Sequence, residues 1–186
     1  AEKEEVPVTF IKISSILGSD VVYNKTRKER NLPERKLNTK FFLIHTFAHL
    51  LINELSYSCG YGSASLRERI YCNLDSEENE MNGVLIYTAS GDSEGSLGGL
   101  VREGEPNNLE NIINKALIKA QVCSYDPVCL DNKSQGLNGT NSSSCHACSF
   151  LPETSCEEAN QLLDRTTIVG DKEKNLVGYF EELIDS

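Results

Sequence analysis

The chain has 186 residues, a formal net charge of −10, 39% hydrophobic and 25% charged residues, and a mean hydropathy of −0.35. That length supports one ordinary domain with a real core, so disulfides are not needed to compensate for a small interior, and the acidity argues against indiscriminate nucleic-acid binding by the surface as a whole. The longest apolar run, FFLIHTFAHLLINEL, is too short to span a bilayer and is broken by His45, His49 and Glu54.

The opening AEKEEVPV has no apolar core of a signal peptide, so the expected location is the cytoplasm. The absence of an initiator methionine reads as a piece of a longer protein. VPVTFIKI (Val6 to Ile13) is rich in β-branched residues and predicts a strand. A polar stretch from Lys25 to Lys40 follows, in which positive charge is concentrated. Its plain reading is a solvated linker; the functional one is a phosphate or acidic-partner contact through Lys25, Arg27, Lys28 and Arg30.

From Thr39, read as an N-cap, the apolar residues Phe42, Ile44, Phe47, Leu50, Leu51 and Leu55 recur at helical spacing with apolar coverage on most sides, the pattern of a central helix. LRERIYCNLD and NGVLIYTAS flank the acidic turn SEENEMNG and predict two paired strands. GDSEGSLGGLV leads into a helix, and PNNLENIINKALIKAQV is a second one with Pro106 near its start. After the cysteine segment, CEEANQLLDR predicts helix and KNLVGYFEELID a closing amphipathic helix. The expected fold class is α+β: a small hairpin packed with several helices, plus a zinc-bound cysteine loop. The expected organisation is a strand and basic linker over residues 1–38 and a domain over 39–186, with a metal-binding segment at 121–160.

Five of the seven cysteines lie between Cys123 and Cys156. Cys123-x5-Cys129 and Cys145-x2-Cys148 form two pairs, and two pairs of thiolates can complete a tetrahedral site around one ion. Zinc suits such a site because it favours thiolates without redox demand, and its binding contributes on the order of 10 kcal/mol to folding. DNKSQGLNGTNSSS, between the pairs, has Leu137 as its one apolar residue, so burial alone cannot hold it. Cys156 is an alternative to Cys129 as fourth ligand. A disulfide framework fits poorly with an odd number of cysteines and no secretory signal. A redox CHAC would sit at a helix start after a strand, whereas a Ser/Asn-rich loop precedes this one. The deaminase pattern fails for want of an upstream H-x-E and a proline before the cysteine pair. Cys59 and Cys72 stand alone and read as small buried hydrophobes.

HTFAH puts His45 and His49 at i and i+4 on one helical face. The metalloprotease motif needs Glu after the first His, where Thr46 stands, so the expected role is structural, with bonds to neighbouring loops. SGDSEGSLGGL matches no phosphate-binding fingerprint and contains Asp92 and Glu94; it is expected to lie beside the two histidines and supply their polar partners. An alternative gathers His45, His49, Asp92 and Glu94 into a nuclease or hydrolase-like site.

HTFAHLLINELSYSCGYGSASLRERIY, GVLIYTASGDSEGSLGGLV, CSYDPVC and CHACSFLPETSCEEANQLLDR together resemble the MrfA-type zinc-binding domain of bacterial DNA helicases, closest to the branch carried by DrmB of the DISARM anti-phage system. The resemblance covers roughly residues 40–165. It implies a cysteine-bound zinc, with ligands among Cys123, Cys129, Cys145, Cys148 and Cys156, in a non-catalytic accessory domain of defence or repair machinery. The implied partners are a helicase subunit or domain, with DNA as a further candidate and no membrane.

Overall fold

A computed structural model describes residues 16–62, 64–73, 81–88 and 97–184. The strand expected at Val6 to Ile13 and the glycine loop from Ser90 to Ser96, with Asp92 and Glu94, lie outside these residues. Within them the fold is α+β: seven α-helices, three of them a single turn, and one two-stranded antiparallel sheet.

Helix α1 (Ile16–Glu29) takes in the first part of the stretch expected to be a linker. It is anchored by Tyr23, which is buried against Phe41, Phe42, Ile70 and Leu162. Helix α2 (Thr39–Cys59) is the central element. Its cap is Asn38 rather than Thr39: the Asn38 side chain accepts from the Phe41 amide at 2.9 Å, and Thr39 is the first helical residue. Gly60, at φ 70°, ends the helix in the left-handed conformation that glycine adopts without a Cβ clash. Phe42, Ala48 and Ile52 are wholly or almost wholly buried, and burial of each large apolar side chain stabilises the fold by about 1.5–3 kcal/mol.

The hairpin forms as the alternation predicts. Strand β1 (Leu66–Cys72) pairs with β2 (Asn82–Thr88) in a register that sets Leu66 opposite Thr88 and Ile70 opposite Val84. Leu66, Glu68 and Ile70 point inward while Arg67, Arg69 and Tyr71 face solvent. A carboxylate therefore occupies a core position of β1.

Helices α3 (Leu97–Glu103) and α4 (Pro106–Ala120) follow. Pro106 stands in the first turn of α4, where its missing N–H costs nothing, and Ile112, Ala116, Leu117 and Ala120 form the stripe that packs on α2. Single turns α5 (Val128–Asp131), α6 (Thr166–Val169) and α7 (Glu181–Ile184) complete the chain.

Two expected helices are replaced. In CEEANQLLDR the backbone turns left-handed at Ala159 (φ 50°), Asn160 (φ 56°) and Leu162 (φ 63°). Asn160 explains the detour: its side chain donates to the Leu151 carbonyl at 2.7 Å and accepts from the Leu151 amide at 2.8 Å, tying the segment to the loop before it. In KNLVGYFEELID the helix starts only at Glu181, because Gly178 packs directly on the backbone of residues 168–170. A Cβ there would lie 2.3 Å from Gly170 N and 2.4 Å from Ile168 O.

The polar loop before Cys145 is exposed in its first part but buried from Thr140 to Ser144, with Thr140, Asn141 and Ser144 at zero exposure. Hydrogen bonds hold it where apolar contact cannot. Asn141 exchanges backbone bonds with Gln135, accepts the Leu163 amide at 2.8 Å and donates to the Asn160 carbonyl; Ser143 Oγ donates to Leu130 O at 2.6 Å.

Candidate metal centre

Cys123 lies just beyond the C-cap Gln121 of α4, after Val122; Cys129 sits in α5, and Cys145 and Cys148 lie on one turn closed by the Cys148 amide donating to Cys145 O at 3.2 Å. The sulfurs of Cys123 and Cys145 are 3.6 Å apart, those of Cys129 and Cys148 are 3.9 Å apart, and those of Cys145 and Cys148 are 3.9 Å apart. Zinc–thiolate bonds of about 2.3 Å in a tetrahedron give sulfur–sulfur edges of about 3.8 Å. A disulfide needs about 2.05 Å, and all seven cysteines are free thiols.

Hydrogen-bond donors reach the sulfurs. Cys123 Sγ accepts the Tyr125 amide and Cys145 Sγ the Ala147 amide, each at 3.4 Å, and Cys148 Sγ accepts from the Cys145 amide and from Ser149 Oγ, each at 3.3 Å. These donors outweigh burial at Cys145, whose pKa is held below the usual thiol value by the Ala147 amide and the neighbouring sulfurs. Burial pushes Cys123 up to about 11 and raises Cys129 further. A cation is thus needed to hold Cys123 and Cys129 as thiolates near neutral pH.

Arg165 braces this group. Its guanidinium, fully buried, donates to Ala120 O at 2.9 Å, to Ser143 O at 3.3 Å and to Asp126 Oδ1 at 2.5 Å. The other Asp126 oxygen accepts the Cys123 amide at 2.8 Å. Burial opposes the charge on Arg165, but the pairing with Asp126 and the nearby sulfurs of Cys148 and Cys129 overcomes it, and its pKa rises. The sequence reading missed Arg165 because nothing marks a lone arginine after QLLD as buried.

Cys156 lies apart from these four. Its sulfur is 3.2 Å from His45 Nε2, and His45 Nε2 is 3.1 Å from Glu68 Oε1. His49 Nε2 is 3.4 Å from the same oxygen. All of these side chains are buried, with His45 and His49 at zero exposure. Burial works against the charge on His45, yet Cys156 and Glu68 outweigh it and raise its pKa to about 10. The same contacts hold Glu68 and Cys156 below their usual values against the effect of burial. His49 Nδ1 meets Ser149 O at 2.8 Å, while the Ser90 to Ser96 loop expected to serve both histidines lies outside the described residues. His45 and His49 are both shut off from solvent, and Asp92 and Glu94, the other residues of the nuclease-like reading, lie outside the described residues. Glu68 was missed as well, although β1 carries its signal: an acid in phase with Leu66 and Ile70 must point inward.

Of the basic residues singled out, Lys25, Lys28 and Arg30 are exposed. Arg27 is half-buried, donating through Nε to Pro33 O at 2.7 Å and lying over the Tyr23 ring. No helix among the described residues is long and apolar enough to cross a membrane.

The model of the MrfA Zn-binding domain matches residues 47–149. The chain belongs to that family. Zinc is the ion for which the MrfA Zn-binding domain is named, and both residue groups fit a metal ion. The DISARM protein DrmB of Bacillus paralicheniformis is 40% identical over 185 residues, which cover 98% of this chain and 31% of that protein. The chain thus spans about a third of the length of the relative it matches.

Proposed function

We propose that this MrfA-type domain is a zinc-stabilised, non-catalytic accessory module of a helicase-associated protein in anti-phage defence, serving to dock a helicase subunit or domain and, through its basic N-terminal region, DNA. Its zinc is held by Cys123, Cys129, Cys145 and Cys148. The observation that carries this reading is the sulfur spacing of 3.6–3.9 Å, which matches the edges of a tetrahedral thiolate site. Four protein ligands leave no position for substrate or activated water, so the ion is structural. It ties the end of α4 to the loop through Cys145, a segment whose interior is polar and has little apolar burial to hold it.

Similarity to the DISARM protein DrmB supports the defence setting, and the cytoplasm is the compartment where the partners named here would be met. Exposed Lys25, Lys28 and Arg30 offer a local positive surface on an otherwise acidic chain, suited to phosphate contact. The test is co-purification of the longer protein with the helicase of its own system, comparing wild type with Cys145→Ser. Retention by wild type and loss by the variant support the docking role. Equal retention by a variant shown to lack the zinc would refute a role for the zinc module in docking.

A further inference from the structure

The four side chains of His45, His49, Glu68 and Cys156 come from three separate parts of the chain, α2, β1 and the segment after Leu151, and all are buried. Their donor atoms lie within 4.8 Å of one another. The separations of 3.1, 3.2 and 3.4 Å are close to the edges of about 3.3–3.6 Å that nitrogen, oxygen and sulfur ligands make around zinc.

Two polar atoms aimed into this group have unmet demands. The Ser149 carbonyl can only accept, so His49 Nδ1 carries the proton and, in the neutral ring, Nε2 presents a bare lone pair. That Nε2 has no hydrogen-bond partner, and neither does Glu68 Oε2. A ring held through one nitrogen by a backbone carbonyl with the other nitrogen aimed inward is the arrangement of a metal-ligating histidine. Cys156 Sγ accepts the amides of Glu158 at 3.4 Å and Asn160 at 3.3 Å. The amide two residues on also binds the sulfur at Cys123 and Cys145, so Cys156 has the backbone setting of the other thiolates.

The unmatched donor atoms favour a metal over protons. Glu68 as carboxylate and Cys156 as thiolate bring two negative charges into a dry interior. Protons on both histidines would match these charges through Glu68 Oε1, 3.1 and 3.4 Å from the two Nε2 atoms, but would leave Glu68 Oε2 without a partner. A divalent cation cancels both charges and takes up the idle nitrogen. His45 Nδ1 stays without a partner in either case. Two imidazoles, one carboxylate and one thiolate form a borderline donor set that suits zinc, and the absence of any exposed face makes it a closed site.

We propose that His45, His49, Glu68 and Cys156 form a second, structural zinc site, which pins α2, β1 and the turn after Cys156 together at the centre of the domain. It is linked to the four-cysteine group through Ser149, whose carbonyl meets His49 and whose hydroxyl donates to Cys148 Sγ.

The test is zinc stoichiometry of the whole chain by native mass spectrometry and elemental analysis, with zinc supplied during expression. Two zinc ions per wild-type chain are expected, one lost in Cys156→Ser and in His49→Gln, and the other lost in Cys145→Ser. X-ray absorption of wild type should then show mixed sulfur and nitrogen or oxygen ligation, a readout that needs no variant to fold. A single zinc in wild type, with sulfur-only ligation and retained by Cys156→Ser, overturns the second site and leaves the four-cysteine site standing. A single zinc lost in Cys156→Ser and kept in Cys145→Ser supports the second site and overturns the four-cysteine assignment.

Discussion

Replacing Arg165 with Met separates the brace around the cysteines from the cysteines themselves. The substitution keeps most of the volume but removes three hydrogen bonds and the partner of Asp126. Breaking a buried ion pair by removing one member costs about 3–5 kcal/mol. Asp126 is 22% exposed and keeps its bond to the Cys123 amide, which points to the lower end, about 3 kcal/mol. The carbonyls of Ala120 and Ser143, left without their donor, add about 1 kcal/mol each. The total of about 5 kcal/mol is a large share of the 5–15 kcal/mol typical of a whole domain. Urea unfolding of the zinc-loaded chain measures it, and a chromophoric chelator should draw zinc faster from the variant. Adding Asp126→Asn removes the uncompensated charge and should recover roughly 2 kcal/mol. A loss below about 1 kcal/mol with unchanged zinc release would refute the reasoning.

Zinc binding near pH 7.5 should release at least two protons, because Cys123, pushed up to about 11, and Cys129, raised further, are protonated in the metal-free chain. The metal-bound form holds fewer protons, so affinity rises with pH, by roughly a hundredfold per unit where two protons are released; calorimetry in buffers of different ionisation enthalpy reads the number directly. Leu66→Ala, at a wholly buried position of β1, should cost about 3 kcal/mol in urea unfolding, and a cost below about 1 kcal/mol would contradict its place in the core. Reversing the charge of Lys25, Lys28 and Arg30 should weaken DNA binding and flatten its salt dependence in fluorescence anisotropy, and an unchanged slope would remove this surface from the interface.

Much of the framework was legible in the sequence because it rests on short-range pattern. The helical spacing of Phe42 to Leu55 and the alternation of Leu66 to Ile70 each report one buried face, and both elements form where expected. The pairing of Cys123 and Cys129 with Cys145 and Cys148 was legible as a set that also held Cys156. What separates Cys156 is long-range geometry: its sulfur meets α2 and β1, more than eighty residues earlier in the chain, and no spacing rule carries that information. The same is true of the buried end of the polar loop and of Arg165, whose partners come from three distant segments. The false helix at CEEANQLLDR comes from the bonds of Asn160 to Leu151, which hold Ala159 and Leu162 in left-handed conformations that their residue types alone disfavour.

The central claim is that one zinc ion sits among Cys123, Cys129, Cys145 and Cys148. Anomalous diffraction recorded on both sides of the zinc absorption edge, from crystals of protein purified without chelator, tests it most directly. The account predicts a strong peak, present above the edge and absent below it, enclosed by those four sulfurs. A folded chain in the same crystals with no zinc peak between them would contradict it.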